Sequence, residues 1–193
     1  MLVLAAWSTA IGSLVYILGD PLSFAFPFRA KYIEHLALVR LHGISAALTL
    51  LLGPLQWIWP QGKAHRLRGY TYLTSVAVGA LTGLWMAALA YGGMVSKSGF
   101  AVMALLWWVT GWEAFRAARR RDFTAHRIWM IRNFALAFGA VALRAYLGTV
   151  QYLGLDFYAL YPTAVWAAWM PCLVFAEWRV YLLEHHNSGT GSG

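Results

Sequence analysis

The sequence predicts an all-α integral membrane protein, a bundle of six transmembrane helices with both termini on the cytoplasmic side. Hydrophobic residues make up 61% of the 193 residues and charged residues 11%, whereas a soluble domain carries roughly 25% charged residues. A helix needs about 20 mostly apolar residues to cross the hydrocarbon core of a bilayer. Six such segments and their loops account for residues 1–186, which we expect to form a single domain. Residues 187–193 are rich in Gly, Ser and Thr and are expected to be a disordered tail.

The six apolar segments lie at residues 2–19, 32–59, 69–91, 100–117, 127–152 and 158–183. The first has no basic residues before it and no small-residue cleavage site, which favours a retained anchor over a signal peptide. Pro21 and Pro27 interrupt helix formation before the second segment. The second segment ends in Trp57-Ile58-Trp59-Pro60, a cluster typical of a membrane interface. The third stops at Gly92-Gly93.

The basic residues in the loops predict the orientation of the bundle. Nine of them lie on the side where the second, fourth and sixth segments end: Lys63, Arg66, Arg68, Arg116, Arg119, Arg120, Arg121, Arg127 and Arg179. Three, Arg29, Lys31 and Lys97, lie on the other side. Because Lys and Arg are enriched in cytoplasmic loops, the side with nine is expected to face the cytoplasm. The topology is that of a multi-pass protein of the bacterial inner membrane.

The net charge of +8 raises the question of nucleic acid, since basic surfaces bind phosphate. The basic residues flank membrane segments, so we expect contact with anionic lipid headgroups and no nucleic-acid partner. The one cysteine, Cys172, lies in an apolar segment and is expected to be a packed thiol.

The second segment carries polar residues at seven-residue spacing: His35, His42, Thr49 and Gln56. Seven residues are close to two helical turns, so these side chains share one face. The stripe has two interpretations: a functional site inside the bundle, because ionisable groups at membrane depth are costly, or a packing face whose polar groups bond across helices.

A second stripe lies on the fifth segment, where His126 and Arg144 are eighteen residues, or five turns, apart. His42 precedes Trp59 by seventeen residues and Arg144 follows Arg127 by seventeen, so the two lie at similar depth. We therefore predict an outer polar site of Arg40, His42 and Arg144. Its cations require an anion, which could come from Asp20, Glu34 or Asp156, or from a ligand. The alternative is that Arg144 extends to the headgroups or pairs with Asp156.

An inner cluster is predicted at the cytoplasmic face from His65, Glu113 and His126. Two imidazoles and a carboxylate could ligate a divalent metal, and two histidines could ligate haem iron axially. The signal is weak because the residues come from separate segments, and phospholipid contact explains the two histidines equally well.

Two strings carry a resemblance to a known family: His65-Arg66-Leu67-Arg68-Gly69-Tyr70-Thr71-Tyr72 and His126-Arg127-Ile128-Trp129-Met130-Ile131-Arg132-Asn133. They resemble a group of bacterial predicted multi-helix membrane proteins classed as a domain of unknown function. The family pattern also has a histidine followed by Gly-Pro-Leu-Gln, matched here by His42 and Gly53-Pro54-Leu55-Gln56, and a late arginine, matched by Arg144. The resemblance covers about residues 40–144. It implies a topology and no established activity.

Our functional hypothesis is that the bundle binds haem, quinone or another anionic lipid-soluble ligand and takes part in redox reactions. One haem b at His65 and His126, or a quinone held by His42 and Arg144, fits the number of polar residues. Whether the protein is an enzyme stays open. The alternative is a non-catalytic subunit or assembly factor that contacts partner membrane subunits, and a transporter of an anionic solute is a third possibility.

Overall fold

The computed structural model describes residues 1–24 and 28–188, which are almost entirely helical. Helix α1 spans Leu2–Leu18, a 3-10 turn spans Pro21–Ser23, and the short α2 spans Arg29–Glu34. Five long helices follow: α3 (Leu36–Ile58), α4 (Gly62–Leu89), α5 (Gly93–Arg119), α6 (Phe123–Tyr152) and α7 (Phe157–Ser188). Pro27 and the predicted tail from residue 189 onward lie outside the described residues.

The predicted second segment is two helices in the structure. His35, with φ −114° and ψ 35°, separates α2 from α3, so the stripe on α3 consists of His42, Thr49 and Gln56 alone. Aromatic packing holds α2 away from the axis of α3, because the ring of Phe28 stacks on Tyr32 and contacts Tyr161 of α7.

Helices α4, α5 and α6 begin four to seven residues earlier than predicted, at Gly62, Gly93 and Phe123. Apolar periodicity marks the membrane-embedded part of a helix, whereas a helix continues as long as its residues favour that conformation. Asp122 fixes the start of α6, since its carboxylate accepts a hydrogen bond from Ala125 N at 2.9 Å. His65 therefore lies inside α4, in its first turn, and not before it.

Helices α3 to α6 pack consecutively, and α3 also contacts α6, so these four helices close into a ring. Helix α1 packs on α3 and α6, and α7 packs on α5 and α6. A bidentate ion pair joins α6 to α7, with Arg132 Nε and Nη2 donating to the Glu177 carboxylate at 2.8 and 2.9 Å.

The ring has two ends. The Gly92 end contains the α4–α5 and α6–α7 turns, and Gly92 itself has a left-handed φ of 87° that glycine adopts without strain. The Arg120 end contains the α3–α4 and α5–α6 turns. Helices α3 to α7 are each long and apolar enough to cross a membrane. Helix α1 is apolar but has 17 residues, so the structure supports five of the six predicted crossings by length.

Candidate functional site

A cavity of about 320 Å³ lies inside the Gly92 half of the ring. Its wall is mostly apolar, with Val39, Leu50, Met103, Leu143 and Val165 among its side chains. The ionisable side chains of this wall are Tyr16, Lys31, Tyr32, His42, Tyr91, Arg144 and Tyr161, and no described residue of the wall is an acid. The cavity wall therefore combines many apolar side chains with a few cationic and hydrogen-bonding ones.

His42 reaches the cavity from α3, and its ring is fixed against α4. Its Nδ1 lies 3.0 Å from the Gly79 carbonyl oxygen and 3.3 Å from Thr82 Oγ1. A carbonyl oxygen only accepts hydrogen bonds, so Nδ1 carries the proton. In the neutral imidazole, Nε2 is then a hydrogen-bond acceptor or a metal ligand. Nε2 has no hydrogen-bond partner among the described residues.

Two glycines of α4 make room for this ring. A Cβ at Gly83 would lie 3.1 Å from His42 Cε1, and a Cβ at Gly79 would lie 2.8 Å from the Trp107 ring. Larger residues at these positions would push α3 or α5 outward. The close approach of His42 therefore depends on glycine at residue 83.

Arg144 reaches the same cavity from α6. Its Nη1 donates to the Ala140 carbonyl at 3.0 Å, on its own helix. It lies within electrostatic range of His42 and of Tyr32. Eight residues separate Arg144 from Tyr152 at the end of α6, or about 12 Å of helix. The guanidinium is thus well below the Gly92 end.

None of the predicted carboxylates forms an ion pair with Arg144 in the part of the chain that the structure describes. Asp20 accepts a hydrogen bond from Leu22 N, and Asp156 accepts from Tyr158 N and Ala159 N. Both acids are therefore used in capping backbone groups.

Arg40, the third residue predicted for the outer site, does not line the cavity. Its Nε donates to the Ile17 carbonyl at 3.2 Å. Because Ile17 is in the last turn of α1, where carbonyl groups lack helical partners, Arg40 holds the end of α1 against α3.

The inner residues do not assemble into a metal site. No group of three or more His, Cys, Asp or Glu side chains within residues 1–24 and 28–188 is arranged to hold a metal ion. Glu113 is used in an ion pair with Arg116 at 2.8 Å, one turn along α5. His126 Nδ1 donates to the Ala114 carbonyl at 2.8 Å. His65 lies within electrostatic range of His126, and its Nδ1 is buried without a hydrogen-bond partner.

Sequence reasoning missed the aromatic cap of the cavity. Phe28 contacts Tyr32, Tyr91, Phe157 and Tyr161, with ring centroids 5.4 to 6.3 Å apart. Four of these residues, Phe28, Tyr32, Tyr91 and Tyr161, line the cavity. Burial, with a smaller effect of Tyr16, raises the pKa of the Tyr32 phenol to about 12, against a smaller opposing effect of Arg144, so this hydroxyl stays protonated at neutral pH. The sequence signal that could have predicted this cluster is the group of aromatic residues in and beside the predicted loops, among them Phe28, Tyr91 and Phe157.

Asn133, on α6, is a structural residue. It is fully buried. Its Oδ1 accepts from Tyr72 Oη at 2.7 Å, and its Nδ2 donates to the Trp107 carbonyl and to Thr110 Oγ1, both at 2.9 Å. This network joins α4, α5 and α6 below the cavity.

Residues 39–180 match the model of a family described as predicted membrane protein (DUF2306). The chain belongs to this family. The match confirms the resemblance seen in the sequence and includes His42, His65, His126 and Arg144, whereas α1 and α2 precede the matched residues. No curated protein and no solved structure is significantly similar to the chain.

Proposed function

We propose that this DUF2306 protein binds a quinone-type lipid-soluble ligand in the cavity between α3 and α6, with His42 and Arg144 as its polar anchors. The observation that carries the proposal is the arrangement of these two residues on one apolar wall that contains no described acid. Ligand pockets of this kind are mostly apolar with a few oriented polar groups. A quinone would associate the protein with membrane redox chemistry.

The hydrogen-bonding roles of the two anchors differ, and the difference favours a quinone. Because His42 Nδ1 donates to Gly79, the neutral ring offers Nε2 as an acceptor, to which the hydroxyl of a hydroquinone can donate. The Arg144 guanidinium has five N–H donors and uses one on Ala140, so donors are left for a quinone carbonyl. A simple carboxylate could accept hydrogen bonds from Arg144, but it has no proton to donate to His42 Nε2, and its oxygen would face the lone pair of that nitrogen.

A haem ligand is the second candidate. A histidine that ligates a metal usually donates its other ring N–H to a carbonyl or carboxylate, and His42 Nδ1 makes such a bond with Gly79. Haem iron could then bind Nε2, with Arg144 and Lys31 near the propionates. The inner pair of His65 and His126 is a weaker haem site, since neither residue lines the cavity.

The alternative of a non-catalytic subunit or assembly factor is supported by the network at Asn133, in which the polar groups bond across helices. It does not account for Arg144, which forms no ion pair with an acid among the described residues. We regard Asn133 as a packing residue and His42 with Arg144 as the binding residues.

We further propose six membrane crossings, with the Arg120 end and both termini in the cytoplasm of a bacterium. The 17 residues of α1 span about 26 Å at 1.5 Å per residue, close to the roughly 30 Å of the hydrocarbon core. The excess of basic residues at the Arg120 end supports the orientation. It also supports contact with anionic headgroups.

The proposal is tested by titrating the full chain in lipid nanodiscs with decylubiquinone, using tryptophan fluorescence. We expect saturable binding that His42→Leu weakens at least about tenfold, or 1.4 kcal/mol. The matched control is His185→Leu at the far end of α7, which should bind like the wild type. Equal binding by the two variants would exclude His42 as an anchor, and a Soret absorption band in the purified protein would replace quinone with haem.

A further inference from the structure

The cavity meets a second recess at Arg144. This recess lies between α1 and α6 and is lined by Ser8, Thr9, Gly12, Ser13, Tyr16 and Arg144. Three of these residues, Ser13, Tyr16 and Arg144, also line the central cavity. The two spaces thus share one wall between α1 and α6.

The side of the recess contributed by α1 leaves room for a ligand. Ser8, Gly12 and Tyr16 are one turn apart and therefore share a face, and a Cβ at Gly12 would have no atom within 4 Å. The Ser8 and Ser13 hydroxyls donate to the carbonyls of Ala5 and Thr9 on their own helix. Because both hydroxyl hydrogens are already in hydrogen bonds, an apolar chain can lie beside these side chains without leaving a donor unsatisfied.

The other possible route into the cavity, at the Gly92 end, is lined by aromatic rings. Phe28, Tyr91 and Tyr161 contact one another there, so a ligand that entered from water would have to pass between their rings. The recess beside Arg144 instead opens on the side of the bundle, at a depth of about 12 Å along α6. A bilayer is the medium on that side.

We propose that the ligand enters from the bilayer between α1 and α6, and that its apolar tail remains in this recess while its head occupies the cavity. The inference rests on the proposed function and narrows its ligand class to amphiphiles with one long apolar tail. Arg144 lies at the junction, where it meets the head of the ligand as it passes. Helix α1, which precedes the family match, forms one side of the entrance.

The test compares Gly12→Phe, in the recess, with Gly148→Phe on α6. A Cβ at either glycine would have no atom within 4 Å. Gly148 does not line the recess, so Gly148→Phe is the control. Both proteins, in nanodiscs of one lipid composition, are titrated with decylubiquinone and with the same quinone headgroup lacking a tail. We expect Gly12→Phe to weaken decylubiquinone binding at least about tenfold, or 1.4 kcal/mol, and to leave tail-free binding unchanged. Gly148→Phe should bind both probes like the wild type.

Unchanged decylubiquinone binding by Gly12→Phe, or equal weakening of both probes, would overturn the entrance while the binding site stands. Failure of the wild type to bind either probe would overturn the proposed function and this inference with it. A second measurement uses a quinone with a photoreactive group at the end of its tail. Crosslinks should map to α1 between residues 8 and 16, and crosslinks confined to the α4–α5 turn would contradict the inference.

Discussion

The Nδ1 atom of His42 lies 3.0 Å from the carbonyl oxygen of Gly79, so a hydrogen bond with the imidazole as donor joins α3 to α4. The bond fixes the tautomer and the direction of the ring. Nε2 thereby becomes the atom of His42 that is available to a ligand. Arg144 of α6 lines the same cavity, and the two residues present an acceptor and a donor to one space.

Gly83→Ala tests whether the position of His42 matters for binding. The added Cβ would lie 3.1 Å from His42 Cε1, so the ring must move by a few tenths of an ångström. We expect decylubiquinone affinity to fall by a factor of about 3 to 10, roughly 1 kcal/mol, with the thermal midpoint nearly unchanged. Gly148→Ala is the control. Wild-type affinity in Gly83→Ala would show that His42 need not be held in place.

Arg144→Met tests whether the cation serves a ligand or the fold. A guanidinium at mid-membrane costs at least about 2.5 kcal/mol unless it has a partner or reaches water, and no described acid pairs with Arg144. We expect the variant to lose decylubiquinone binding while its thermal midpoint stays equal or rises. Arg144→Lys should recover part of the affinity. A destabilised variant that still binds would make Arg144 a structural residue.

Tyr72→Phe tests the packing role of Asn133. The change removes a 2.7 Å hydrogen bond and leaves the buried Oδ1 without that donor. Hydrogen bonds inside membrane bundles contribute about 0.6 kcal/mol on average and up to about 1.7, so we expect a loss of about 1 kcal/mol in the free energy of unfolding. Asn133→Ala, which removes three bonds, should lose about 2 kcal/mol. Denaturation in mixed micelles measures both, and ligand affinity should be unchanged.

Cysteine labelling from outside the cell tests the orientation. In a Cys172→Ser background, a cysteine at Met94, which is 76% exposed at the Gly92 end, should react with an impermeant maleimide, whereas one at Arg120 should react only after the membrane is opened. The physical reason is the excess of basic residues at the Arg120 end. Labelling of Arg120 alone from outside would reverse the predicted topology.

His42 and Arg144 line one cavity, and the sequence favoured this proximity because the rise per residue converts position along a helix into depth. Which neighbouring helix each side chain contacts was not predictable in this way. Arg40 is two residues before His42 and binds the Ile17 carbonyl, which depends on where α1 packs. The break at His35 likewise depends on aromatic contacts between Phe28 and α7, and those residues are distant in the sequence.

The inner cluster shows a further limit of sequence reasoning. Glu113 has a close basic partner in Arg116 on its own helix, and such i,i+3 pairs form locally. That pairing competes with any metal site that requires the carboxylate to turn toward another helix. The sequence predicted that Glu113 lies near the Arg120 end of the bundle. The orientation of its carboxylate is set by the ion pair with Arg116.

The most direct test of the account is a density map of the protein purified in native-membrane nanodiscs. We expect density inside the cavity that contacts both His42 Nε2 and the Arg144 guanidinium, with a tail that continues between α1 and α6. Mass spectrometry of the same sample should identify a quinone. A map in which Arg144 extends to the headgroups and the cavity is filled by neighbouring side chains would contradict the central claim.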